Sequence, residues 1–323
     1  MRQKIFCLAL STILLALSFA AMVQAADKIR IGVTNPNLSF LSSRIAVKKG
    51  FFKEEGIEAE VIRMRVPVML TAISTGDIDY TMVFGSVVRA AVRGLPVRVV
   101  ASLLDGSTHA LVSQPEFKSV KELKGKSLGI ESYSTTTEVV GRMIFKHFGL
   151  DPEKDAKFLA LGPDQARLAA LKEKLVQAVV VAPPADVEAQ KMGFNILSRA
   201  YEVFTFPFIG VGTSVKKIQE RPDEVKRVIK GFIKANRFIR QNRDETIQFL
   251  AEWSQVEPRS AASAYDSGIK VFSLDGAIPA DGLRLVIEQA KKEASMTREV
   301  SLTDVSDVAI LRDAQRELGI KAR

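Results

Sequence analysis

From residue 28 onward the chain predicts an α/β fold of two similar lobes, each a mostly parallel sheet flanked by helices, with two chain crossings acting as a hinge. Two observations carry this. Short β-like runs alternate with helix-like runs along the whole body of the sequence, the pattern of parallel strands joined by crossover helices. Sliding the chain against itself by about 98 residues lays 69–86 on 167–184, and both stretches read as amphipathic helix, tight turn and strand. The same shift lays 44–49 on 142–147, each following a strand and a turn that carries Ser or Thr.

The elements follow in order. Residues 28–33 alternate polar and apolar as a half-buried strand does. Thr34-Asn-Pro-Asn37 ends that strand, and Ser39 or Ser42 is placed to cap a helix running through 46–49. Gly50 permits a turn into 51–56, and 57–63 reads as the second strand. A helix over 68–74, a strand over 80–84, a helix over 86–93 and a strand over 97–101 continue the alternation. With the repeat, these boundaries predict lobe 1 over 26–113 plus 208–323 and lobe 2 over 114–207. The first crossing is expected near 113–119 and the return near 206–212.

The N-terminus is organised differently. Arg2 and Lys4 precede an apolar and small-residue run over 5–23, and Val23-Gln24-Ala25 supplies small residues where a peptidase needs them. That is the plan of a secretory signal peptide over 1–25, and no later segment matches its apolar length, so an exported, soluble body is expected. The single cysteine, Cys7, falls inside the signal, so the body has no thiol for disulfides, cysteine-based zinc sites or thiol catalysis. Removing Arg2 and Lys4 lowers the formal charge from +9 to +7. The remaining cations are interspersed with acids, as in 216–243, and no nucleic-acid-binding motif accompanies them.

Catalytic and cofactor patterns are missing. His109 and His147 cannot form an H-E-x-x-H site, and neither a G-x-S-x-G elbow nor a G-x-x-x-x-G-K-[ST] loop occurs. Ser214-x-x-Lys217 and Ser267-x-x-Lys270 are short matches without companion motifs. No catalytic residue, metal or cofactor is therefore expected.

In open α/β sheets ligands bind beyond the carboxyl ends of the strands, here Val33, Phe84, Ile130 and Ala182. The loops after them should face a shared cleft. The richest is Glu131 to Glu138, with Ser132, Tyr133, Ser134, Thr135 and Thr136 ahead of a helix. Hydroxyls and free N–H groups at a helix start suit an anion, while Thr135-x-x-Glu138 equally fits a capping box. Asn37, Ser39 and Phe40 offer hydrogen bonds beside an aromatic wall, and Phe84, Gly85 and Ser86 end the corresponding strand. Pro183 and Pro184 fix a cleft wall, Asp186 stands at a helix start, and Phe208 falls at the return crossing. Together these favour a small anionic organic ligand with an apolar or aromatic portion.

Three segments also carry a family resemblance: Ala46-Val-Lys-Lys-Gly-Phe-Phe-Lys-Glu-Glu-Gly-Ile57, Ala72-Ile-Ser-Thr-Gly-Asp-Ile-Asp79, and Val120-Lys-Glu-Leu-Lys-Gly-Lys-Ser-Leu-Gly-Ile130. It extends through 178–184 and 300–320. The chain resembles the periplasmic substrate-binding proteins of nitrate/sulfonate/bicarbonate ABC transporters, a family that includes binders of thiamine-pyrimidine precursors. The resemblance implies a hinge-closing two-lobed binding protein that delivers a small molecule to a membrane permease driven by a cytoplasmic ATPase, and the protein is expected to act as a monomer in the periplasm. A ligand sensor for a membrane receptor and a secreted enzyme on the same fold are the alternatives. The Cys-rich segment of the pyrimidine synthases that share the fold is absent, and Lys174 to Ala178 replaces the family's usual Gly-Asp/Glu-Val-Asp-Ala turn.

Overall fold

The computed structural model describes residues 26–204 and 206–321, so the expected signal peptide at 1–25 lies outside the described residues. In chain order the first lobe sets β1 (Asp27–Val33), α1 (Leu41–Lys48), β2 (Ile57–Arg63), α2 (Val66–Thr75), β3 (Tyr80–Thr81), α3 (Phe84–Val92) and β4 (Val97–Leu104). The second lobe follows with β5 (Ala110–Ser113), β6 (Lys126–Ile130), α4 (Thr136–His147), β7 (Ala156–Ala160), α5 (Asp164–Lys172), β8 (Ala178–Val181), α6 (Ala185–Lys191) and β9 (Asn195–Arg199). β10 (Ile209–Ser214) returns to the first sheet. The helices α7 (Pro222–Gln241), α8 (Arg243–Ser254), α9 (Pro258–Gly268) and α10 (Ala280–Glu293) come after it.

The two five-stranded sheets have orders β2-β1-β3-β10-β4 and β7-β6-β8-β5-β9, which correspond strand for strand. The repeat is visible in the spacing: Tyr80 and Ala178 begin equivalent strands 98 residues apart, as do Val97 and Asn195. Each sheet is mostly parallel, with one antiparallel strand contributed by the chain just after it crosses between lobes: β10 in the first and β5 in the second.

Three local expectations change. Residues 110–113 pair with β8 and β9, so the first crossing occupies 105–109 rather than 113–119. All four are fully buried because β5 lies inside the second sheet, covered on both faces, and a short apolar run of this kind does not announce which sheet it joins. The strand expected over 80–84 pairs only at Tyr80 and Thr81, and Phe84 opens α3 instead of ending a strand. Neither Ser39 nor Ser42 caps a helix. Asn37 accepts from the Ser39 N–H to start a short 3-10 turn leading into α1, while Ser39 Oγ meets Thr108 Oγ1 at 2.8 Å.

The first lobe has one continuous apolar core, and the second has a cluster on each face of its sheet. α7 binds the C-terminal half of the chain to lobe 1. Phe232 packs edge-on against Phe52 at 5.1 Å, and Gly231 lets the backbone approach that ring, since a Cβ there would sit 2.5 Å from Phe52 Cδ1. One turn further, the buried Asn236 donates to Leu103 O (2.8 Å) and Ser273 O (2.9 Å) and accepts from Ser42 Oγ (2.5 Å). Asn236→Ala removes the Asn236 partner of Ser273 O and Ser42 Oγ in the interior, while Leu103 O keeps the Ser273 N–H at 2.9 Å, and urea unfolding should show a loss of about 2 kcal/mol.

The surplus of cations is dispersed. Lys230 and Lys234 on α7 reach Glu55 at 2.7 Å each, and Lys226 and Lys230 reach Glu317 at 2.8 and 2.9 Å. Acids accompany these cations as expected for 216–243, but the face is not wholly solvated, since Glu55 is buried beneath Lys230 and Lys234. Among the described residues no helix is long and apolar enough to cross a membrane.

Candidate functional site

The loops beyond β1, β6, β7 and β8 meet between the lobes, because parallel strands in both sheets present their carboxyl ends to the same seam. Several contacts cross it. Asn37 Nδ2 donates to Asp164 Oδ2 at 2.7 Å, and the Leu38 N–H donates to the Pro183 carbonyl at 3.0 Å. Arg89 Nε donates to the Ser134 carbonyl at 3.2 Å. On the outer edge Lys191 of α6 pairs with Glu257 beside α9 at 3.5 Å.

Between these contacts lies a cavity of about 30 Å³, lined from lobe 1 by Thr34, Asn35, Asn37, Ser39, Phe40, Ser86 and Phe208, and from lobe 2 by Glu131 and Thr135 to Thr137. Val66, Val83, His109 and Ile209 complete it. Two larger grooves flank the seam. One of about 670 Å³ shares Thr34 and Glu131 with the cavity and carries Arg63 and Arg65. The other, about 510 Å³, runs between α4 and α10.

Seven of the sequence-selected residues therefore border the cavity: Asn37, Ser39, Phe40, Ser86, Thr135, Thr136 and Phe208. Gly85 lies beside it, where a Cβ would come within 3.6 Å of Thr136 Oγ1. Pro183 contributes its carbonyl to the seam, and Pro184 precedes the first turn of α6. The remainder sit elsewhere for identifiable reasons. Phe84 is fully buried in the lobe-1 core against Gly210. Tyr133 is 55% exposed, with its hydroxyl on the Phe158 carbonyl at 2.8 Å. Ser132 borders the arginine-bearing groove and Ser134 the opposite one. Asp186 is buried and paired with Arg199 at 2.6 Å, so it braces lobe 2 instead of facing a ligand.

The hydroxyl-rich turn is wired differently from a capping box. Glu138 accepts from the Ser134 N–H (2.6 Å), one residue before the expected partner. Thr135 Oγ1 donates to Ser132 O (2.6 Å), and Thr137 Oγ1 accepts from the Glu131 N–H (2.9 Å). Thr136 Oγ1 has no hydrogen-bond partner among the described residues and borders the cavity at the positive end of α4.

Several charged or polar groups here escape a reading of the sequence. Asp164 and Arg167, 2% and 0% exposed, form a buried ion pair at the start of α5, with Arg167 also donating to the Gly162 carbonyl. His109 packs edge-on against Phe208 at 4.9 Å, and burial pushes its pKa down to about 4, so it is neutral at pH 7. Burial pushes the Glu131 carboxyl up to about 7. The i, i+3 spacing of Asp164 and Arg167 was available as a signal, but nothing in one sequence shows that such a pair is buried. Among the described residues no group of three His, Cys, Asp or Glu could hold a metal ion.

The family model described as NMT1/THI5 like matches residues 37–246, a stretch that includes most of the seam. The chain belongs to the NMT1/THI5-like family. A Brucella abortus protein, named only as a binding protein, is 24% identical over 80% of this chain and 82% of its own length. Among solved structures, the alkanesulfonate-binding protein SsuA from Xanthomonas axonopodis pv. citri bound to MOPS superposes with a TM-score of 0.74. It is 17% identical, over 88% of this chain and 100% of that one. The periplasmic nitrate-binding protein NrtA from Synechocystis PCC 6803 superposes at 0.75, 15% identical, over 91% of this chain and 89% of that one. At these identities the superpositions establish the two-lobed periplasmic-binding-protein fold for this NMT1/THI5-like chain.

Proposed function

We propose that this NMT1/THI5-like protein is the extracytoplasmic solute-binding component of an ABC importer. In this reading it is exported to the periplasm, captures a small molecule between its lobes as a monomer, without catalysis, and delivers it to the permease and its cytoplasmic ATPase. The observation that carries the reading is the cavity built jointly by strand-end loops of two opposed lobes. A volume of about 30 Å³ accommodates water-sized groups only, so an organic ligand enters after the lobes part, and they then close around it less completely than they meet here. The ligand earns closure by contacts it makes only in the closed state.

The ligand class follows from the lining: a small organic anion with an apolar or aromatic portion. The free Thr136 hydroxyl at the positive end of α4 suits the anionic end, and Phe40 and Phe208 suit the body. Mass spectrometry of solute released by denaturing protein taken from native periplasm tests this, alongside a thermal-shift screen. One low-mass acid per protein, absent from an Asn37→Ala/Thr136→Ala variant, is the expected result. Stabilisation only by cations or neutral sugars would overturn the ligand class, and no released or stabilising solute would overturn the capture role.

A further inference from the structure

Arg89 projects from α3 toward the seam and is 3% exposed. Its Nε donates to the Ser134 carbonyl (3.2 Å) and its Nη2 to the Ser86 hydroxyl (3.3 Å), both neutral acceptors. Nη1 makes no hydrogen bond, and no carboxylate lies within salt-bridge distance, among the described residues. Burial is the main influence on this guanidinium and draws its pKa below the usual arginine value. Glu293 and Glu138 oppose that effect from a distance, and Arg93 adds to it. Glu138 is already committed to Arg142 at 2.8 Å. A buried cation without a counterion is unfavourable unless something else supplies the opposite charge.

The space beside it is also unusual. A Cβ built on Gly85 would lie 3.4 Å from Arg89 Nη1, 3.5 Å from Nη2 and 3.6 Å from Thr136 Oγ1. These are ordinary contact distances, so glycine leaves a methyl-sized gap between the guanidinium of lobe 1 and the free hydroxyl of lobe 2. Ser86 and Thr136 both border the cavity, which puts the gap at its edge.

We propose that Arg89 is the charge-recognition residue of the binding site, and that Gly85 keeps open a seat where an oxyanion of the ligand meets Arg89 Nη1 and Thr136 Oγ1. The inference rests on the solute-binding reading above and narrows it to ligands ending in a sulfonate or carboxylate. Because the oxyanion bridges the lobes, it also favours the closed form.

The test compares 1-butanesulfonate and butyrate with the neutral 1-butanesulfonamide on wild type, Arg89→Gln and Gly85→Ala, by calorimetry and thermal shift. Wild type should bind at least one of the acids and discriminate against the sulfonamide. Arg89→Gln should bind that acid at least about tenfold more weakly, the scale of a lost hydrogen bond to a charged group. Gly85→Ala introduces no clash and favours the helix, so it should melt no lower than wild type while losing the acid as well. Acid binding unchanged in either variant, preference for the sulfonamide, or no binding of either acid by wild type would each overturn the assignment. If a neutral solute released from native protein binds wild type and both variants alike, the Arg89 assignment falls while solute capture stands.

Discussion

Arg167→Ala is expected to lower unfolding stability by about 3–5 kcal/mol, measured by urea denaturation at neutral pH, because it strands a buried carboxylate. Asp164 is 2% exposed, and its charge partner is Arg167, which is itself fully buried and also holds the Gly162 carbonyl. The loss has a functional side. Asp164 is the acceptor for Asn37 across the seam at 2.7 Å, so disturbing its position weakens a contact made only when the lobes are together. The double variant Asp164→Leu/Arg167→Met separates the two effects. Replacing a whole buried ion pair by apolar groups of similar size is often close to neutral, so most of the stability should return. The Asn37 acceptor does not return, and ligand affinity should stay reduced. A single-variant loss below about 1 kcal/mol would mean that water reaches the pair, contrary to its burial.

The fold was legible because its signals are local. Alternating strands and helices, and a repeat whose spacing reappears as Tyr80 to Ala178 and Val97 to Asn195, need only the order of residues along the chain. What was not legible depends on pairing. β5 could have closed the first sheet or opened the second, and only its neighbours β8 and β9 decide. Tyr80 to Phe84 is continuous in its strand-forming character, but the chain turns after Thr81, so Phe84 goes to the core and Gly85 and Ser86 to the seam.

The site divides in the same way. Asn37, Ser39, Phe40, Thr135 and Thr136 were accessible to reasoning because they follow strand ends, where topology alone directs them to the cleft. Tyr133 and Asp186 share that neighbourhood, and their side chains turn away to the Phe158 carbonyl and to Arg199. Arg89 and Arg167 were missed because an arginine on a helix ordinarily faces water, and their burial comes from residues far along the chain.

Affinity for an organic acid is expected to fall as pH rises through 7, and Glu131 is the reason. Its carboxyl borders both the cavity and the groove carrying Arg63 and Arg65. Burial pushes it up to about 7, with Arg167 pulling down, Asp164 pushing further up, and the Thr34 hydrogen bond and Arg63 pulling down again. Below that value it is neutral and tolerates a second anion, and above it repels one. Between pH 6 and 8 wild type should lose about three- to tenfold in affinity for 1-butanesulfonate, while Glu131→Gln should be flat. The unfolding curve supplies an independent check. Native Glu131 keeps a proton that the unfolded chain loses near 4.5, so this group makes stability fall as pH rises from about 4.5 to 7. His109 acts with the opposite sign: burial lowers it from 6.5 to about 4, so its contribution makes stability rise over that window. Each is worth up to about 3 kcal/mol, and the two largely cancel between pH 4.5 and 6.5 in the wild type. Glu131→Gln should therefore expose an uncompensated rise from pH 4 to 6.5, and His109→Gln an uncompensated fall from 4.5 to 7. A Glu131→Gln curve parallel to the wild type at every pH would show that this carboxyl titrates as it does in water, and would remove the basis for the pH-dependent affinity.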